Sequence, residues 1–76
     1  MIITRDSSTY IAHQDGVRSY GVGESEDAAV ADFWRSARID YALLRKDADR
    51  LSEPLRHEMV ALGQLLARRA HERKRP

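Results

Sequence analysis

Apolar positions change their period partway along the chain. In the first third they fall in short runs separated by turn-forming residues. Ile2-Ile3-Thr4 is a β-prone run, and Arg5-Asp6-Ser7-Ser8 is polar turn material. Thr9-Tyr10-Ile11-Ala12-His13 is rich in aromatic and β-branched residues. Gln14-Asp15-Gly16 then carries an Asp-Gly pair, a strong hairpin signal, and Val17 to Val22 reads as a third strand. Three antiparallel strands joined by tight turns are predicted. Gly21 and Gly23 mark the end of the third strand and read as a bulge and a strand exit. A phosphate loop is excluded, because Glu26 occupies the position that would complete Gly-x-Gly-x-x-Gly and a carboxylate there repels a pyrophosphate.

From Ser25 onward the period becomes helical. Ser25 is a good N-cap, and Glu26 and Asp27 place negative charge at the positive end of the helix dipole. Val30, Phe33, Trp34, Ala37, Tyr41 and Leu44 recur at steps of three and four, one face of a helix reaching Arg45 or beyond. Ile39 and Leu43 belong to the opposite face, where they form a second apolar pair for another helix or another subunit. Ser52-Glu53-Pro54 opens a second helix, whose stripe is Leu55, Met59, Leu62 and Leu66, with Gly63 as a weak point. The predicted fold is α+β, a three-stranded antiparallel sheet followed by two helices in the order β-β-β-α-α. One domain is expected over residues 1–67, with a basic, fraying tail at 68–76. Its expected core is Ile3, Tyr10, Val22, Val30, Phe33, Trp34, Tyr41, Leu55, Met59, Leu62 and Leu66.

Composition narrows the classes. Seventy-six residues make one small domain, which buries only about 60–65% of its unfolded surface. The absence of cysteine excludes disulfides and thiolate metal sites. No apolar run approaches the roughly 20 residues of a membrane span, and Met1 to Asp6 has no signal-peptide character, so the cytoplasm is the expected compartment. Charge is balanced at +1 but poorly mixed. Residues 1–34 carry two basic and six acidic side chains, whereas residues 35–76 carry eleven and six. The tail alone contributes Arg68, Arg69, Arg73, Lys74 and Arg75.

No catalytic constellation emerges. His13, His57 and His71 make no His-Glu-x-x-His pattern, and Glu53 with His57 offers two ligands where zinc needs three or four. None of the serines stands in a Gly-x-Ser-x-Gly elbow. The carboxylates Glu24, Glu26, Asp27 and Asp32 are accounted for by the helix dipole and solubility. No enzymatic activity, cofactor or metal is expected.

The segment Gly23-Glu24-Ser25-Glu26-Asp27-Ala28-Ala29 resembles the Gly-Asp-Thr-x-Glu-Glu-Ala-like run of the HicB-like antitoxin family. Tyr10-Ile11-Ala12 is similar to that family's Tyr-Val-Ala strand, and the Tyr41 to Leu66 region to the two-helix extension of some short members. The chain departs from the family pattern in lacking the proline-containing loop before the third strand, and in having Ala28 where a glutamate is common. The resemblance implies a short member without a separate DNA-binding domain. It implies a small sheet with a packed helix, and a non-catalytic protein that neutralises its partner by covering it.

In that family the partner is a small RNA-cleaving, HicA-like toxin with a basic RNA-binding surface. The acidic first half here is complementary to such a surface, and Glu24, Glu26, Asp27 and Asp32 are the residues expected to contact it. A second class uses the same physics: a phage-encoded inhibitor, such as an anti-CRISPR protein, that mimics phosphates on the basic channel of a CRISPR effector subunit. A third is weak nucleic-acid binding through Arg68, Arg69, Arg73, Lys74 and Arg75, with no aromatic residues interleaved for base stacking. Homodimerisation through Ile39 and Leu43 is also expected, because one helix covers only one face of a three-stranded sheet.

Overall fold

A computed structural model describes residues 1–73. It contains strands β1 (Ile2–Asp6), β2 (Thr9–His13) and β3 (Tyr20–Gly23), then helix α1 (Glu26–Lys46), a 3-10 turn (Ala48–Arg50) and helix α2 (Glu53–Arg73). The strands form an antiparallel meander in the order β1-β2-β3. The predicted α+β class and the β-β-β-α-α order are those observed.

The strand ends differ from the expected ones for local reasons. Asp6 pairs with Thr9, so β1 includes Arg5 and Asp6 and the loop shrinks to Ser7 and Ser8. Ser7 takes a φ of 57°, and Arg5 Nε donates to its carbonyl at 2.8 Å. The Asp15-Gly16 turn is present, with Gly16 at φ 88°, but β3 begins at Tyr20 rather than Val17. Two helices claim the intervening segment. Arg18 N–H donates to Glu58 Oε1 at 2.6 Å, and the Ser19 hydroxyl donates to Asp40 Oδ2 at 2.6 Å. Ser19 is buried, and Asp40 satisfies it.

Gly21 and Gly23 are not a bulge. Pairing is continuous from Tyr10–Gly23 to His13–Tyr20. These glycines are where α1 lies against the sheet. A Cβ at Gly21 would collide with the Phe33 amide nitrogen and the Ala29 carbonyl oxygen, and one at Gly23 would come within 2.6 Å of the Ala29 nitrogen. Helix backbone therefore packs directly on strand backbone, which only glycine permits.

Ser25 caps α1 as expected, accepting from Ala28 N–H at 3.1 Å. Ala29, Phe33 and Ala37, spaced four apart, are fully buried, with Trp34 beside them and Ala12 of β2 opposite. The Phe33 and Trp34 rings meet edge to face at 5.1 Å. Leu62 is the buried side chain of α2, and Gly63 lets the Tyr41 ring lie close to the α2 backbone. Tyr10, Val30, Tyr41 and Leu66 pack partly buried around this core, and Leu55 and Met59 are half-buried.

Of the expected core residues, Leu55 and Met59 lie outside this cluster, and Val22 and Ile3 are exposed. Val22 is 43% exposed, because it shares a register row with Ile11 on the sheet face away from α1. Ile3 is 36% exposed, because α1 packs on β3 and β2 and leaves β1 largely outside its footprint. The tail also differs: residues 68–73 continue α2 rather than fraying from residue 68.

The close approach at β3 makes a sharp prediction. Gly21→Ala should destabilise the domain by about 1–3 kcal/mol or more, because neither clashing atom is a flexible side chain. Phe33→Ala and Leu62→Ala should each cost about 2–5 kcal/mol, whereas Val22→Ala should cost little. Thermal melting checks the order, since 1 kcal/mol shifts a domain this small by about 4–8 °C. A Gly21→Ala protein that melts with wild type would show that the helix does not touch the strand.

Candidate partner-binding surface

The sheet has two unlike faces. Row partners share a face, so Ile3, Ala12 and Gly21 face α1. The rows Ile2–His13–Tyr20 and Thr4–Ile11–Val22 face away from it. No Asp, Glu, Lys or Arg occurs in those two rows. Ile2, Tyr20 and Val22 are exposed there, Tyr20 at 60%, and no element of the described chain covers them. An uncovered face is expected from the sequence, but Val22 belongs to it rather than to the core, because alternation alone does not say which side the helix takes.

Three of the four expected contact carboxylates lie at one end of the sheet. Glu24, Glu26 and Asp27 are all exposed at the junction of β3 and α1. Pairing of Tyr10 with Gly23 brings that junction to the end of the sheet formed by Asp6 and Thr9. Asp6 thus joins the acidic end, a neighbour that only the register reveals.

Asp32 does different work. Its Oδ2 accepts from Val22 N–H at 2.9 Å, and its Oδ1 pairs with Arg35. β3 is an edge strand, so this carboxylate satisfies a donor that would otherwise be open to another chain. The Val22 amide, and then the Arg35 guanidinium, hold the Asp32 carboxyl below the usual carboxylate range.

Ile39 and Leu43 lie on the outer side of α1, 53% and 57% exposed. The second helix does not cover them, packing instead toward Tyr41, Leu44 and Trp34. Of the basic residues, Arg68, Arg69 and Arg73 lie on the last turns of α2. Lys74 and Arg75 lie outside the described residues. Arg69 is not a free surface cation: its guanidinium stands 4.4 Å from the centre of the Trp34 ring. Among the described residues no group of three or more His, Asp or Glu is placed to hold a metal ion, and no helix is long and apolar enough to cross a membrane. Searches against protein families, curated proteins and solved structures give no match.

The state of Asp32 predicts an acid dependence. A carboxyl whose folded pKa is depressed stabilises the fold above its unfolded value, about 3.9. That contribution is lost as pH falls through the lower folded value. Asp32→Asn keeps an acceptor for Val22 N–H but has no charge to titrate. Its stability should therefore fall less than that of wild type between about pH 5 and pH 2. Acid titrations by circular dichroism that coincide for the two proteins would disprove the assignment.

Proposed function

We propose that this chain is a non-catalytic inhibitory binding protein of the HicB-like antitoxin type, which neutralises a nucleic-acid-acting partner by covering its binding surface. The observation that carries this reading is a sheet whose outer face exposes Ile2, Tyr20 and Val22, with the carboxylates of Glu24, Glu26 and Asp27 at its end. Interfaces place apolar and aromatic groups centrally and charges at the rim. Tyr20, Val22 and Ile2 supply the first kind of group, and the acidic end supplies the second. A HicA-like toxin with a basic RNA-binding surface is the complementary partner. The β-β-β-α-α order supports the same reading, since it is the arrangement that the resemblance implies.

The exposed carboxylates also favour a second reading, a phage inhibitor of anti-CRISPR type that offers them as phosphate mimics to a CRISPR effector subunit. Affinity capture from the native host separates the two. Recovery of a small RNA-cleaving toxin, lost when Glu24, Glu26 and Asp27 are changed together to amides and when Tyr20 is changed to Ala, is the expected result. Recovery of a CRISPR effector subunit would select the phage reading. Capture that is indifferent to all four substitutions would remove both.

We also propose that Ile39 and Leu43 mediate homodimerisation, because they form an exposed apolar pair that α2 leaves uncovered. Light scattering should give about twice the 8.7 kDa chain mass, and Ile39→Lys with Leu43→Lys should halve it. A mass of one chain at every accessible concentration would end the idea.

A further inference from the structure

The middle of α1 and the C-terminal turns of α2 enclose a shallow hollow of about 260 Å³, lined by Arg38, Leu66, Arg69, Ala70 and Arg73. Three arginine side chains thus line one hollow together with apolar Leu66 and Ala70. No carboxylate lines the hollow; Arg69 also lines a neighbouring one together with Trp34, Arg68 and Glu72. Among the described residues the one ion pair is Arg35 with Asp32, so none of the three arginines is neutralised there. Arg69 is held in place by the Trp34 ring, and its Nε is buried without a hydrogen-bond partner among the described residues.

Like charges gathered in this way repel, and a bound anion relieves the repulsion. Guanidinium forks match phosphate oxygens better than ammonium groups do. We infer that the Arg38–Arg69–Arg73 hollow binds phosphate groups of a nucleic-acid backbone.

Nucleic acid is favoured over a lone phosphate by the surroundings. Arg68 lies beside Arg69 on α2, so cationic charge extends past the hollow along that helix. The Trp34 ring is already occupied by Arg69 and offers no platform for a base. Recognition is therefore by backbone charge, with little sequence preference and a steep dependence on salt. This site goes beyond the C-terminal basic run read from the sequence: it needs Arg38, which lies thirty residues earlier in the chain. It is also independent of the carboxylate and sheet-face surface proposed for the protein partner.

The test is fluorescence anisotropy with a short mixed-sequence DNA duplex and an RNA duplex of equal length, titrated from about 50 to 200 mM salt. Wild type should bind at least one of them. Arg38→Gln and Arg73→Gln should each weaken binding about tenfold and reduce the salt slope by about one. Both residues are exposed, so the variants should keep the wild-type circular dichroism and melting curve. Arg50→Gln, on the turn between the helices, should bind as wild type does. Failure of the wild-type chain to bind either duplex would overturn the inference. So would full affinity in an Arg38→Gln, Arg73→Gln double variant, which would place binding in the terminal residues alone.

Discussion

Everything in this fold depends on how closely α1 approaches β3. At Gly21 the helix lies so near the strand that no side chain fits between them. Contact at that range leaves room only for small residues along the helix stripe, which explains Ala29 and Ala37 on α1 and Ala12 on β2. Phe33 is the one bulky side chain wholly enclosed between helix and sheet, and Trp34 turns sideways to meet α2 and its Arg69. A helix seated this tightly has a narrow footprint. It covers β3 and β2, leaves β1 projecting, and leaves the other sheet face without any partner from α1 or α2.

The legible parts of the sequence were those governed by local rules. Ser25 reads as a cap because capping needs only a hydroxyl three residues before an amide. Burial follows a fixed angular period, so the stripes pick out Phe33, Trp34, Ala37 and Leu62. They omit buried Ala29 and include Leu55 and Met59, which lie outside the cluster. The strand exit expected at Gly23 is present but the bulge is not, because a glycine required by a helix from another part of the chain looks the same as one required by a bulge. Val22 and Ile3 were misassigned for a related reason. Alternation separates two faces of a strand, but which face is covered, and how far the cover extends, is a tertiary matter. The link from Ser19 to Asp40 spans 21 residues and has no local signature at all.

The fold turns an uneven charge pattern along the chain into separated surfaces. The acidic junction of β3 and α1 gathers with Asp6 at one end of the sheet, because hairpin register and helix start coincide there. The arginines of α2 reach back to Arg38 because the 3-10 turn returns the second helix antiparallel along the first. Of the acids in the first half, Asp32 is withdrawn into structure. Its carboxylate holds the Val22 amide and Arg35 together, so an edge strand otherwise open to pairing with another chain is partly closed by its own helix.

Thickness completes the argument. The molecule measures 41 × 34 × 17 Å, and its short dimension is that of one sheet and one helix layer. In a plate of two layers, a side chain that does not point at the shared interior points at solvent. The interior here is filled by few residues, three of them alanines. Larger apolar groups such as Tyr20, Val22, Ile39 and Leu43 therefore have no inner layer to enter. In a domain this small, moving them inward would require either a thicker core or a looser helix, and the glycine contact at β3 forbids the second. Their exposure follows from the same close packing that makes the fold possible, and it leaves the chain with apolar surfaces that only another molecule can cover.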